Sequence, residues 1–310
     1  MAEALVFHSD LDSPEPWIAA LKAELPWLEI RLSNAPGDDR DVRYALVWRP
    51  PLGFFSRFPN LELVTNLGAG VDALLARPDL PEVPIARISD PEMSRMMASF
   101  VLFAVLRHAR DIPAFERAQR ERRWHFITPR TAGEISVGVL GLGELGSTAA
   151  LELARQGFRV SGWSRSPKDL PGIACVNGME ALDGFLAANE ILVVMLPLTP
   201  QTRHLLDARR LAALPRGAKL VNVARGPIID EAALVEALRS GHVAEATLDV
   251  FETEPLPQES PLWGMDGVLI TPHLASMAIP KSACAQVAAN IRRIRAGEPI
   301  AQRVDAARGY

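Results

Sequence analysis

The chain has 310 residues, and 33 Lys and Arg against 37 Asp and Glu give a formal net charge of −4 at pH 7. An apolar share of 48% and a mean hydropathy of +0.09 are enough for a large core and exclude a disordered chain. The mild acidity argues against nucleic acid as the main partner, because phosphate binding calls for a basic surface.

In chain order, ALVFH (4–8) reads as a short apolar strand. Pro14 and Pro16 then open a helix with Trp17, Ile18, Leu21 and Leu25 at helical spacing. YALVW (44–48), stopped by Pro50 and Pro51, is a second strand, and LELVTNLGAG (61–70) is a strand ending in a Gly-rich turn. The spacing predicts a long, mostly apolar helix over 94–110. The polar, Arg-rich stretch 111–130 then reads either as an exposed connector or as an arm that lies on another subunit with Trp124 as anchor. From Glu134 onward VGVLGLG, FRVSGW, EILVVMLPL, AKLVNVA, EATLDVF and GVLITPH are β-rich runs with helical segments between most of them, as in a parallel sheet covered on both faces. A last helix over 281–296 is expected to return to the first domain. At roughly 100–200 residues per domain, two domains are expected. They are 1–90 plus 277–310, which is discontinuous, and 91–276, which carries the helix and arm 94–130.

VGVLGLGELG holds G-x-G-x-x-G at Gly141, Gly143 and Gly146, after an apolar strand and at the start of a helix. Gly141 permits a tight turn, Gly143 lets backbone approach a pyrophosphate, and Gly146 allows close helix–strand packing. Glu144 and Leu145 open the helix, whose free N–H groups and positive dipole end suit phosphate. About 20 residues past such a turn, an NAD site carries an acidic residue for the ribose 2′-OH. Here stand Ser164, Arg165 and Ser166. A guanidinium with two hydroxyls suits a 2′-phosphate, so NADP(H) is the expected cofactor, with NAD(H) possible. A solvated surface arginine is the plainer alternative.

Three later strands end in polar residues: Arg225, then Asp249 with Glu254, then His273. Ligands of open α/β sheets sit at the carboxyl ends of strands. Hydride addition to a ketone builds oxyanion charge, which His273 can meet with a proton while a carboxylate holds the ring and favours its charged form. Arg225 can grip a carboxylate and polarise a carbonyl. Singly, these residues also suit a cap partner, a loop charge and a core histidine; together, downstream of a dinucleotide turn, they point to chemistry. Cys175 and Cys284 exclude a disulfide scaffold, fit no metal-ligand spacing, and suit the cytoplasm. The longest apolar run, 98–106, is far short of the roughly 20 residues of a membrane span, and Glu3 without a basic stretch ahead of an apolar one speaks against a signal peptide.

With LVTNLGAGVD, VGVLGLGELG, VMLPLTPQTRHLLD, LVNVARGPIIDEAAL, ATLDVFETEPLP and ITPHLAS in this order, the chain resembles the D-isomer-specific 2-hydroxyacid dehydrogenase family over nearly its whole length. The resemblance implies two Rossmann-like α/β domains with doubly wound parallel sheets, an active site in the interdomain cleft, and a homodimer. It implies an Arg225–Glu254–His273 triad and a substrate carboxylate bound by the N–H groups of Gly68, Ala69 and Gly70. Asp249 would hold the nicotinamide carboxamide, Leu196, Pro197, Thr202, Val223 and Ala224 would line the cofactor cleft, and Met96 would touch the nicotinamide. VWRPP (47–51), WSRS and TAGEISVGVLGLGELG look most like the bacterial A-type glyoxylate/hydroxypyruvate reductases. There Trp48 would limit substrate size; a core tryptophan at a strand end is an equal alternative. Where many members carry Ala-Glu, this chain has Met97-Ala98. The expected activity is reduction of small 2-oxo acids to 2-hydroxy acids, with no nucleic-acid or membrane partner. An NAD-linked dehydrogenase of a larger 2-hydroxy acid is disfavoured by Ser164-Arg165, and a dinucleotide-sensing binding protein by the intact triad.

Overall fold

The structure, a computed structural model, describes residues 3–35 and 37–310. It divides into two compact units, one up to Met93 together with Met277–Tyr310, the other Ser94–Ser276.

The first unit begins β1 (Ala4–Ser9), α1 (Pro14–Glu24), β2 (Glu29–Leu32), β3 (Val42–Trp48), β4 (Leu63–Asn66), α2 (Asp72–Leu75) and β5 (Ile85–Arg87). Its five strands are all parallel, in the order β2-β1-β3-β4-β5. β1, β3 and β4 are apolar on successive residues because both faces are covered, and Leu5, Val6, Leu46, Val47 and Val64 are buried. Pro14 starts α1, where a missing N–H costs nothing. Sequence patterning passes over β2 and β5: EIRL is half exposed and charged on alternate residues, and β5 is three residues long.

α3 (Pro91–Ala109) starts three residues ahead of the expected boundary. The Asp90 carboxylate accepts the N–H groups of Glu92 and Met93 and so caps it. The stretch read as connector or arm contains a helix, α4 (Ile112–Arg120), that buries Pro113 and Ala118. Beyond it Trp124 is 99% exposed and Phe126 is exposed too.

The sheet of the second unit follows: β6 (Ser136–Leu140), α5 (Glu144–Arg155), β7 (Arg159–Ser164), β8 (Ala174–Asn177), α6 (Leu182–Ala187), β9 (Ile191–Val194), α7 (Ala208–Ala213), β10 (Ala218–Asn222), α8 (Glu231–Arg239), β11 (Val243–Leu248) and β12 (Val268–Ile270). All seven strands are parallel, in the order β12-β11-β10-β9-β6-β7-β8. Side chains alternate between two cores, as the pleat requires. Leu192 and Val194 pack among α6–α8, whereas Ile191 and Val193 pack with residues of α3 and α5. The chain builds outward from β6 to β8, then returns to β9 on the other side of β6. That reversal is the place where open parallel sheets bind ligands. Parallel strands also send the loops after β6, β7, β9, β10, β11 and β12 out of one edge.

α9 (Pro280–Ala296) belongs to the first unit, buries Ala283, Cys284, Val287 and Ile291, and ends at Gly297, whose φ of +70° is left-handed. Among the described residues no helix is long and apolar enough to cross a membrane.

Candidate active site

The turn after β6 is closed on both sides and open in the middle. Gly141 has φ +118°, and a Cβ there would meet the Met195 carbonyl oxygen at 2.7 Å. A Cβ on Gly146 would lie 1.9 Å from the Gly141 carbonyl oxygen. Both positions therefore exclude any side chain. Around Gly143, the N-cap of α5, nothing lies within 4 Å. Glu144 begins the helix, Leu145 is half buried, and the helix N-terminus is presented to that space.

The neighbouring loops on the same edge are knotted by their own hydrogen bonds. The Thr202 hydroxyl donates to the Pro197 carbonyl at 2.6 Å and receives the Thr199 N–H. Leu196, Val223 and Ala224 are buried, and Met96 on α3 is half buried. After β7 the Ser164 hydroxyl donates to the Ser166 carbonyl at 2.7 Å, which bends the chain into an exposed turn. Arg165, Ser166 and Lys168 all stand exposed on it.

Arg225, Glu254 and His273 come together at the ends of β10, β11 and β12. His273 Nδ1 is 2.8 Å from Glu254 Oε2, and the Phe251 N–H donates to the other oxygen at 3.1 Å. Burial works to raise the Glu254 carboxyl. The hydrogen bond and charge of His273, the Phe251 N–H and the Arg225 charge outweigh it and hold Glu254 below the usual carboxylate value. Arg225 is half buried and donates from one guanidinium nitrogen to the Ala224 carbonyl at 2.7 Å.

His273 has φ +56°, in the left-handed region that costs a non-glycine residue energy. Asp249, 1% exposed, holds it there. Its carbonyl accepts the His273 N–H at 2.8 Å, and its carboxylate accepts the Thr271 hydroxyl and the N–H groups of Leu274 and Ala275. Asp249 thus serves the loop that carries the histidine.

In the first unit, the loop after β4 is shaped by Asn66, whose amide donates to the carbonyls of Gly68 and Gly70, both at 3.0 Å. Ala69 and Gly70 are half exposed. The Trp48 ring lies on this loop: a Cβ on Gly68 would touch Trp48 Cζ3 at 2.9 Å.

The model of the D-isomer specific 2-hydroxyacid dehydrogenase NAD binding domain matches residues 102–275. The chain belongs to the D-isomer specific 2-hydroxyacid dehydrogenase family. It is 40% identical to a glyoxylate/hydroxypyruvate reductase A of Serratia proteamaculans over 99% of both chains. A crystal structure of a D-isomer specific 2-hydroxyacid dehydrogenase from Xanthobacter autotrophicus, in complex with NADPH and MES, is 67% identical, with 100% of both chains covered and a TM-score of 0.98. One of an NADPH-dependent glyoxylate/hydroxypyruvate reductase from Sinorhizobium meliloti, in complex with NADP and sulfate, is 36% identical, with 100% of both chains covered and a TM-score of 0.94. The resemblance read from the motifs is borne out, both for the family and for its A-type members.

Within this dehydrogenase-family chain, sequence patterning misses residues that shape the site rather than face it. Gly226 is one: a Cβ there would lie 1.8 Å from the Phe251 carbonyl carbon, so the Arg225 loop rests directly on the strand end that leads to Glu254. Asn222 is another, donating to the Arg225 carbonyl and accepting the Ala224 N–H. Asn66 and Asn222 are each the last residue of an apolar strand, and that position was the available signal. Lys168 was signalled only as the next cation after Arg165.

Proposed function

We propose that the protein reduces small 2-oxo acids, glyoxylate and hydroxypyruvate foremost, to 2-hydroxy acids with NADPH. The observation that carries this is the Arg225–Glu254–His273 cluster, on the same sheet edge as a glycine turn whose open centre fits a pyrophosphate. When bound there, the dinucleotide supplies a hydride to the carbonyl carbon. His273 gives a proton to the carbonyl oxygen from Nε2, because Nδ1 is engaged by Glu254. Arg225 opposes the negative charge that builds on that oxygen. Gly68, Ala69 and Gly70 take the substrate carboxylate on their N–H groups; their loop suits this because Asn66 already holds two of its carbonyls. Trp48 limits substrate size.

For the cofactor, Glu144 and Leu145 lie at the pyrophosphate and Leu196, Pro197, Thr202, Val223 and Ala224 line its cleft. Met96 would lie by the nicotinamide, and Asp249 would take its carboxamide while holding the His273 loop. Arg165, Ser166 and Lys168 receive the 2′-phosphate, and Ser164 shapes their turn. The relatives named NADPH-dependent, or crystallised with NADP or NADPH, support this choice. We further propose a cytoplasmic homodimer. Its interface would use Phe103 and Leu106 of α3, Ile112 of α4, and Trp124 and Phe126, all exposed in the single chain. Sedimentation of the purified protein checks the dimer.

A panel of 2-oxo acids run with NADPH and with NADH tests the reading. The expected result is highest kcat/KM for glyoxylate or hydroxypyruvate with NADPH. Preference for NADH and a larger acid would replace it with an NAD-linked dehydrogenase. No turnover of any 2-oxo acid would overturn it.

A further inference from the structure

The loop that follows β3 is held from behind at several points. The Arg77 guanidinium donates to the carbonyls of Pro50 and Pro51, the second at 2.7 Å, and lies 5.2 Å from the centre of the Phe55 ring. It also meets Asp79 at 2.8 Å, and the same carboxylate oxygen accepts the Gly53 N–H at 2.8 Å. The His8 ring binds the Ser33 hydroxyl at 3.0 Å and hydrogen-bonds the backbone of Arg49. Arg49 has φ +46°, a strained conformation that persists only where the surroundings impose it. The residue before it is Trp48. Its ring is thus placed between Gly68, which must lack a side chain for the indole to fit, and the Arg49 guanidinium, 5.7 Å from the ring centre.

The Arg77–Asp79 pair is not explained by stability. Both side chains are mostly buried, and Arg77 Nε and Asp79 Oδ1 are buried with no hydrogen-bond partner. Apolar residues commonly replace such a pair at no loss. What the pair does specifically is fix three residues of one loop, Pro50, Pro51 and Gly53.

We propose that Arg77, with Asp79, is a positioning residue for substrate selection: it fixes the Trp48–Gly53 loop, keeps the Trp48 indole against Gly68, and so sets how large a 2-oxo acid is accepted. This rests on the proposed reductase activity. Released from Arg77, the loop moves, the indole leaves Gly68, and bulkier acids gain access.

The test compares kcat/KM for glyoxylate and for 2-oxoisocaproate, with NADPH, in wild type, Arg77→Met, Arg77→Lys and Trp48→Ala. Arg77→Met should shift the ratio toward the larger acid by roughly tenfold, the scale of one apolar contact in a pocket. The shift should lie in KM for the acids, with KM for NADPH unchanged, and Arg77→Lys should recover part of it. In a Trp48→Ala background, Arg77→Met should produce no further shift. A merely structural role would lower both activities alike and would not depend on Trp48. An unchanged ratio in folded Arg77→Met, or an equal shift without Trp48, overturns the proposal. If Arg77→Met does not fold, Asp79→Asn and Arg77→Lys carry the same comparison. Should the wild type reduce no 2-oxo acid, the reductase reading falls and takes this proposal with it; an active wild type with an unmoved ratio rejects this proposal alone.

Discussion

His273 Nδ1 stands 2.8 Å from Glu254 Oε2, and Arg225 is close enough to favour the charge on that carboxylate. The ring is held by one nitrogen, which leaves the other to deliver a proton. His273→Asn keeps a donor at the ring position but cannot transfer a proton. It should lower kcat by about 100- to 10,000-fold, the usual contribution of a general acid. KM for NADPH should stay near wild type. An unchanged kcat in a folded His273→Asn variant would remove His273 as the donor.

Glu254 also links acidity to stability. Its carboxyl is held below the usual value of 4.5, so the unfolded chain binds that proton more tightly than the folded one. Its contribution is complete above the unfolded value and is lost as pH falls through the lower, folded one. The Tm gap between wild type and Glu254→Gln should therefore be constant near neutrality and should close on acidification below 4.5. A gap that persists at low pH would mean that the charge is not what stabilises the loop.

Gly226 sets the Arg225 loop on the backbone of Phe251, with no room for a methyl group. Gly226→Ala must push two main-chain segments apart, which should destabilise by at least about 1–3 kcal/mol, the range for overpacking. Arg225 and Glu254 ride on those two segments, so kcat/KM should fall further than the loss of Tm accounts for. Wild-type kinetics in a folded Gly226→Ala variant would show that the contact is dispensable.

What sequence patterning captured and missed has one physical cause. Strands buried on both faces, such as ILVV in β9, announce themselves by composition. The half-exposed edges β2 and β8 do not. Arg225, Glu254 and His273 were legible because polar residues at the ends of apolar strands have no packing reason to be there. Asn66, Asn222 and Gly226 were not, because an amide turned onto its own loop and a glycine pressed on a remote backbone depend on contacts that only the fold creates. Asp249 was legible as a polar residue at a strand end, but the hold of its carboxylate on residues more than twenty positions away was not. Helix α4 was hidden inside a polar stretch, since only Pro113 and Ala118 are buried.

Arg165 and Lys168 share one exposed turn, with no carboxylate in the Ser164–Lys168 segment to repel a 2′-phosphate. Each charge-assisted hydrogen bond to a phosphate is worth about 1.5 kcal/mol or more, roughly tenfold in affinity. Arg165→Ala should raise KM for NADPH by about that factor and leave KM for NADH unchanged, and adding Lys168→Ala should narrow the preference further. Equal loss with both cofactors would mean that the turn does not read the phosphate.

His108 is fully buried in α3, with Nδ1 2.9 Å from Glu245 Oε2 and Nε2 3.0 Å from the Thr247 hydroxyl, both on β11. Burial holds the ring below its ordinary 6.5. The hydrogen bond and charge of Glu245 work against this, and the charges of Arg107 and Lys219 reinforce it. The ring is therefore kept neutral in the folded chain at pH values where the unfolded chain would protonate it. Below 6.5 the unfolded state binds more protons, so stability must fall with pH until the folded value is passed. His108→Leu removes the titration but leaves the Glu245 and Thr247 oxygens without their partner, at about 1–3 kcal/mol for each buried group. Its Tm should start lower than wild type and change less between about pH 8 and pH 5, the interval in which histidine titrates. Parallel Tm curves for the two proteins would mean that His108 takes up its proton alike in the folded and the unfolded chain, so that burial does not hold it neutral.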